Sequence, residues 1–437
     1  MNLIYLLSLG CPKNLTDSEA VLGILLTNGF SLTTNPKLAE IILINTCAFL
    51  KSSVAESIQT IKKYSQYKKT GCCKILAVIG CLPKREKKPP LKEIDVWLGC
   101  NQLEQILDLL KNPNVKIQNP NKIPITKSQA KSGAILFSHN IPRLKLTPPH
   151  TAYVKIADGC NNRCSYCLIP SIRGNYHSRP LVDVIAEVKQ LAKQGVKEII
   201  FVAQDTTQHP KFVELLRKTC QIPAIKWIRI MYTHPKHITP ELIKIMAKEK
   251  KIVKYLDLPI QHICDNILSK MGRKTPKNKL IRLIQKIRRE IPGIVLRTSL
   301  IVGFPGETQK DFEELFNFVK ETKFERLGVF EYSREAGTLA NKMRGQVPAP
   351  LKRKRLRTLM SLQKSVSEEK NKKMIGKIIE VLIDKVTPKG SVGRSYMDAP
   401  EIDGSVIITG KKINPGEIIK AKVLAALPYD LLARPVT

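Results

Sequence analysis

Residues 159–167 read Gly159-Cys160-Asn161-Asn162-Arg163-Cys164-Ser165-Tyr166-Cys167. They follow an apolar stretch at 153–157 and precede Ile169-Pro-Ser-Ile-Arg173. Three thiols with C-x3-C-x2-C spacing on a loop after a strand suit ligation of three irons of a four-iron cluster. No fourth cysteine follows locally, so one iron keeps an open position for another ligand. A zinc site needs four closed ligands or a His/carboxylate set, and neither is adjacent. Three unrelated structural cysteines is the bland alternative. This strand and loop open a longer βα series, with strands expected at 153–157, 198–203, 227–232, 255–258, 295–302 and 326–332. Helical stretches separate most of them. Six parallel strands imply a full or partial (β/α) barrel, whose chemistry sits at the strand carboxyl ends.

Upstream, the texture is again βαβαβ. Residues 3–9 are an apolar run ending in Gly10-Cys11-Pro12, and Thr16 and Glu19 have capping-box spacing for a helix through about Leu26. Runs at 41–44 and 74–79 end in Asn45-Thr46-Cys47 and Gly80-Cys81. The pattern favours a parallel sheet with right-handed crossovers. Cys11, Cys47 and Cys81 each fall just after a strand, so all three are expected at one sheet edge, the edge where ligands usually bind. Cys72, Cys73 and Cys100 lack that placement and read as structural.

Residues 112–147 are rich in Lys, Asn, Pro and Ser and read as a connection. After about Lys370, short strands at 375–386, 393–396, 405–409 and 417–425, with Gly and Pro turns, suggest a small antiparallel barrel. The chain is therefore α/β and multidomain. An N-terminal parallel βαβ sheet domain spans 1–125, and a linker 126–147. A central partial barrel spans 148–370, and a C-terminal β-barrel 371–437.

The 437 residues carry 73 Lys and Arg against 37 Asp and Glu, a formal charge of +36. An apolar content of 43% excludes wholesale disorder. Residues 1–140 contribute +9, residues 141–370 +23 and residues 371–437 +4. Such a charge predicts anionic surroundings, or a solvated basic helix face, and says nothing about chemistry. The densest stretches, 273–289 and 342–357, have helical composition. No apolar run approaches the roughly 20 residues needed to span a bilayer. The first eleven residues lack a charged n-region and a small-residue cleavage site. A cytoplasmic protein with thiols rather than disulfides is expected.

Cys160–Cys167 resembles the signature of radical S-adenosylmethionine (SAM) enzymes, in which the open iron chelates SAM. The wider chain is similar to the methylthiotransferase family. There, three N-terminal cysteines matching Cys11, Cys47 and Cys81 hold a second four-iron cluster, and the C-terminal barrel is a TRAM domain. The resemblance covers essentially the whole sequence. One branch of the family acts on a modified adenosine of tRNA, and the other on an aspartate of ribosomal protein S-twelve. Ser8-Leu-Gly-Cys-Pro-Lys-Asn-Leu15, residues 159–173, Gln204-Asp-Thr-Thr207 and Asp398-Ala-Pro-Glu-Ile-Asp-Gly404 resemble the protein-modifying branch. Acidic Asp398, Glu401 and Asp403 in the barrel suit a basic protein better than a phosphate backbone.

The resemblance implies two 4Fe-4S clusters and SAM, a one-electron donor such as flavodoxin or ferredoxin, and possible rRNA contact. It also implies attack by a 5′-deoxyadenosyl radical on the aspartate β-carbon, followed by delivery of a methylthio group from the second cluster. No catalytic residue beyond the six cysteines is expected. Tyr166 packs on adenine or is an ordinary loop aromatic. Gln204 and Asp205 bind SAM polar groups or cap a strand end. Ser299 and Gly303, the latter opening Gly303-Phe-Pro-Gly-Glu307, approach the ligand or form a plain turn. Arg173 aids SAM binding on weaker grounds. His262 reads as a satisfied core histidine. A non-enzymatic iron–sulfur carrier or RNA-binding module is the competing class.

Overall fold

The computed structural model describes residues 2–111 and 142–436. Most of the linker expected at 126–147 lies outside the described residues. The chain packs as two compact units, one of Met1–Leu146, Tyr153–Asn162 and Cys167–Glu187, the other of Thr147–Ala152, Arg163–Tyr166 and Val188–Thr437.

In the first unit, apolar runs form β1 (Asn2–Ser8), β2 (Phe30–Leu32), β3 (Ile41–Thr46), β4 (Ile75–Gly80) and β5 (Val96–Gly99). They pair in parallel in the order β2-β1-β3-β4-β5. All six residues of β3 are buried, as expected of a central strand covered on both faces. Separate apolar clusters line the two faces, one around Ile42, Ile44, Val78 and Trp97, the other around Ile41, Leu43, Ala77 and Leu98. Alternate residues of β3 and β4 thus point to opposite layers.

The helix expected to begin at Thr16 begins at Pro12 and runs to Thr27, with Cys11 as its N-cap residue. Proline supplies the fixed φ of a first helical turn, which outweighs the capping-box spacing further on. Thr16 instead donates within the helix to the Lys13 carbonyl, and Glu19 pairs with Arg143. A further strand, β6 (Thr151–Lys155), precedes a two-residue ladder of β7 (Ala157–Asp158) and β8 (His177–Ser178). That ladder closes the base of the loop holding Cys160, Cys164 and Cys167.

β6 stands at the edge of a six-stranded sheet completed by β9 (Glu198–Val202), β10 (Trp227–Ile230), β11 (Ile252–Asp257), β12 (Val295–Val302) and β13 (Arg326–Glu331). The order is β13-β12-β11-β10-β9-β6, with β9 to β13 paired in parallel. This is the partial barrel form. Helices such as Leu181–Lys193, Phe212–Cys220, Pro240–Lys248, Lys277–Glu290 and Gln309–Thr322 connect the strands.

The long helix Ala349–Lys372 leads to β14 (Ile378–Thr387), β15 (Gly390–Arg394), β16 (Val406–Ile408), β17 (Ile418–Ala426) and β18 (Leu431–Pro435). These close into a barrel of order β14-β15-β16-β18-β17. Its pairs are antiparallel except β16 with β18, which is parallel, so the expected all-antiparallel barrel is corrected at one seam. The pairing that closes the circle comes from β18, which the sequence reading missed.

The loop of residues 395–404 corrects a second expectation. Asp398 is 2% exposed and accepts from the Arg326 guanidinium at 2.6 Å, and Asp403 accepts from the Tyr255 hydroxyl at 2.6 Å. Arg297 lies 3.5 Å from Asp403. Tyr255, Arg297 and Arg326 lie in β11, β12 and β13, so two of the three carboxylates anchor the barrel to the sheet. Only Glu401 is exposed, at a left-handed φ of 69°. Composition counts a carboxylate as a surface charge, whereas these two are consumed by cations far away in sequence.

Candidate functional site

Strand register builds the N-terminal site. Ser8 pairs with Asn45, Thr46 with Gly80, and Gly80 with Gly99. Cys47, Cys81 and Cys100 are therefore the next residues on three adjacent strands, which run about 4.8 Å apart. Cys11 follows the end of β1 by three residues, at the same carboxyl edge. Gly10 makes this possible. Its φ is +89°, and a Cβ there would sit 2.7 Å from the Cys47 Cβ. Burial pushes the Cys47 thiol up, and the Cys11 and Cys81 thiols nearby push it further.

Cys100 is corrected. It was expected to lack strand-end placement, but it follows β5 and is 5% exposed. Its thiol donates to the Ile172 carbonyl at 3.5 Å and lies beside Cys81 in the same apolar layer. The signal was present in sequence: Leu98-Gly99-Cys100 repeats the apolar–Gly–Cys pattern of Ile79-Gly80-Cys81.

Asn14 fastens the edge, donating to the Leu9 carbonyl at 3.0 Å and the Thr46 carbonyl at 2.9 Å. Arg173 reaches the same place, with Nη2 2.5 Å from Asn14 Oδ1 and 3.6 Å from Cys81 Sγ. Its Nη1 bonds Asp17 at 3.0 Å and Asp158 at 2.9 Å, and Lys155 pairs with both carboxylates. The Cys100 thiol lowers the Cys81 thiol to about 6; burial opposes this, and the Arg173 charge adds to it. A thiol so poised is ready to ligate metal. Three thiols at one sheet edge, with no His or carboxylate among the described residues completing a closed set, suit three irons of a four-iron cluster better than a four-ligand zinc site.

Cys160, Cys164 and Cys167 lie on the loop between β7 and the helix Ile169–Arg173. The Asn162 N–H points at the Cys160 sulfur and the Ile169 N–H at the Cys167 sulfur, both at 3.4 Å. The Arg273 guanidinium lies 4.0 Å from the Cys164 sulfur. Each sulfur thus has an N–H donor directed at it, as ligand sulfurs of an iron–sulfur cluster do. Ser165 is held by the Lys270 carbonyl at 2.7 Å and the Met271 carbonyl at 3.0 Å.

The other expected residues divide. Tyr166 stacks edge-on against Phe304, with centroids 6.4 Å apart. Gln204 is half-buried just beyond β9. Asp205 is buried and accepts from Thr207 at 3.0 Å and His237 at 2.8 Å, so it orients its neighbours. Ser299 lies within β12, where its carbonyl accepts from the Gln261 N–H at 2.9 Å. Gly303 has φ +70°, and the space a Cβ would take holds the Lys352 stem at 2.1 Å. Its N–H donates to Glu307 at 2.6 Å, which closes the turn. His262 is buried and its Nδ1 accepts from the Cys264 N–H at 3.1 Å, but its Nε2 has no hydrogen-bond partner among the described residues, which corrects the expectation of a satisfied histidine.

Sequence reasoning missed His234 and His237. With Asp205 they form a group whose three potential ligand atoms lie within 4.8 Å of one another. Burial, reinforced by Arg273, lowers the His234 imidazole to about 3, so it is neutral near pH 7. Backbone strain marks the same sheet, because Tyr232 and Gln261 adopt φ of 58° and 72° without being glycine.

Comparison with known proteins defines the class. Residues 154–319 match the model of the radical SAM superfamily, residues 3–99 an uncharacterized protein family, UPF0004, and residues 375–436 the TRAM domain. Among solved structures, the radical SAM methyltransferase TsrM from Kitasatospora setae shares the fold at TM-score 0.56 and 15% identity, over 83% of this chain and 91% of that one. The chain is 45% identical to the ribosomal protein uS12 methylthiotransferase RimO of Desulforamulus reducens, over 98% of both chains. It is 43% identical to the RimO protein of Pelotomaculum thermopropionicum over 99% of both. The chain therefore belongs to the RimO family of radical SAM methylthiotransferases. Among the described residues no helix is long and apolar enough to cross a membrane.

Proposed function

We propose that this chain transfers a methylthio group to ribosomal protein uS12, at the β-carbon of an aspartate. The observation that carries the reading is the pair of cysteine triads. One follows a C-x3-C-x2-C loop, and the other is assembled by strand register. They occur in a chain nearly half identical to uS12 methylthiotransferases over its full length. When bound, the clusters and SAM supply a carbon-centred radical and a transferable sulfur, chemistry no side chain here could perform.

The chain's residues hold and orient. Cys160, Cys164 and Cys167 would ligate one cluster and leave an iron for SAM, and Cys11, Cys47 and Cys81 would ligate the second. The Asn162 and Ile169 N–H groups and the Arg273 guanidinium would donate to the sulfurs of the first set. Tyr166, Gln204, Ser299 and Gly303 are proposed to border SAM, with Asp205 acting through His237. The domain partition 1–125, 126–147, 148–370 and 371–437 is proposed on the same footing.

The electron donor in this reading is a flavodoxin or ferredoxin. In this reading the basic stretches 273–289 and 342–357 offer a surface for ribosomal RNA, and the site of action is the cytoplasm, where ribosomal proteins are made. The tRNA-modifying alternative loses ground because the relatives over the full length carry the uS12 name. Producing the chain with uS12 in a host lacking its own enzyme, then measuring the intact mass of uS12, tests the reading. The expected product is heavier by one methylthio group in place of hydrogen. An unmodified uS12 together with a methylthiolated adenosine in tRNA would reverse the assignment.

A further inference from the structure

Arg173 is the last residue of the short helix that begins two residues after Cys167, yet its side chain ends at the N-terminal cysteine edge. Nothing in its local sequence requires this. Its side chain is 2% exposed and makes four kinds of contact at once: Asp17, Asp158, Asn14 and the Cys81 sulfur. Two carboxylates balance Arg173 and Lys155, so the guanidinium is held in place by a closed, neutral network. A lysine has no fork able to serve all four partners.

Asn14, the second partner, ties the chain next to Cys11 and Cys47 through the Leu9 and Thr46 carbonyls. Cys100 approaches Cys81 from β5, buried in the apolar layer with Trp97, Leu168 and Ile172. Cys81 therefore has a cationic donor in Arg173, and the Cys100 thiol lies beside it on the neighbouring strand.

We propose that Arg173 and Cys100 are positioning residues of the N-terminal cluster, tuning its reduction potential, Arg173 through its hydrogen bond to the Cys81 sulfur and Cys100 through its buried thiol beside that sulfur. Donors and positive charge beside a ligand sulfur favour the more electron-rich, reduced state and so raise the potential. Because Arg173 rides on the segment that follows Cys167, the loop ligating one cluster also furnishes the electrostatic partner of the other. This inference rests on the two-cluster reading of the chain.

The test is a redox titration of full-length protein with both clusters reconstituted, followed by electron paramagnetic resonance. Only the signal of the Cys160–Cys167 cluster should respond to added SAM, which separates the two. Iron content is measured first, and about eight irons per chain establishes the two-cluster reading itself. In Arg173→Gln the N-terminal cluster should become harder to reduce. Its reduced-to-oxidised ratio at fixed potential should fall about tenfold, or about 59 mV for a one-electron couple. Arg173→Lys should recover part of that shift, and Cys100→Ala should give a smaller shift of the same sign.

Full iron content with unmoved potentials in Arg173→Gln and Cys100→Ala overturns the proposal and leaves the two-cluster reading intact. If Arg173→Gln fails to hold iron, Cys100→Ala decides alone, because a small buried thiol can be truncated without stranding a charge. A wild-type protein with only about four irons would instead defeat the two-cluster reading.

Discussion

Glu198, at the start of β9, is fully buried and carries two arginines. Arg229 Nε bonds it at 2.9 Å and Arg394 Nη1 at 2.8 Å. Arg394 belongs to β15 of the barrel, so this carboxylate joins sheet to barrel. Glu198→Gln keeps the shape and removes the charge. Arg394 retains Asp384 at 2.8 Å, but Arg229 is left without a carboxylate, with only the Tyr396 carbonyl at 2.9 Å, the Ser395 carbonyl at 3.5 Å and the Tyr255 ring at 4.8 Å. Stranding one buried cation costs about 3–5 kcal/mol. For a unit of this size that corresponds to a fall of roughly 10 °C in the unfolding midpoint. Thermal unfolding followed by circular dichroism, with proteolysis at the 370–375 junction, measures it. Glu369→Ala is the control, since that carboxylate is exposed and its lysines Lys323 and Lys373 return to water.

Acid adds a second signature. Burial pushes the Glu198 carboxyl up, but Arg394 and Arg229 together outweigh it and hold it below the usual range. A depressed carboxyl contributes stability that is present above its unfolded pKa, about 4.3, and is lost as pH falls through the folded value. Wild type should therefore lose stability below about pH 4 more steeply than Glu198→Gln. A variant within 2 °C of wild type, against the roughly 10 °C expected, would refute the reasoning.

Other consequences are checked more briefly. Gly10→Ala places a Cβ 2.7 Å from the Cys47 Cβ at φ +89°, so it should cost the N-terminal cluster's iron while SAM cleavage to deoxyadenosine persists. Replacing Cys160, Cys164 and Cys167 together by Ala should leave about half of roughly eight irons and abolish deoxyadenosine formation; unaltered iron would sink the ligand assignment. Asp403→Asn weakens the bond from Tyr255, so it should lower the unfolding midpoint while uS12 binding stays within about twofold; a large loss of binding with no loss of stability would restore the loop as a substrate grip.

What the sequence disclosed follows from what is local. Apolar runs closed by Gly-Cys or Thr-Cys located β1, β3 and β4, and with them the edge where Cys11, Cys47 and Cys81 meet. The same pattern before Cys100 passed unnoticed because β5 is only four residues long. The C-x3-C-x2-C loop needs no tertiary information, since its three cysteines share one short stretch of chain. Arg173 was legible only as a basic residue beside that loop. Its partners Asn14, Asp17 and Cys81 lie 92 to 159 residues away, and only folding brings them together. Asp398 and Asp403 misled for the same reason. Their charges were visible, but the burial that turns them inward depends on Arg326, Tyr255 and Arg297 in other strands. β18 escaped because a short run after Pro428-Tyr429-Asp430 and ending at Pro435 resembles a tail until β16 and β17 are there to pair with it.

The most direct test of the central claim is the intact mass of uS12 from cells with and without this chain. The account predicts that uS12 carries one methylthio group only when the chain is present and all six cluster cysteines are intact. A uS12 of identical mass in both, from protein shown to hold both clusters and cleave SAM, would contradict it.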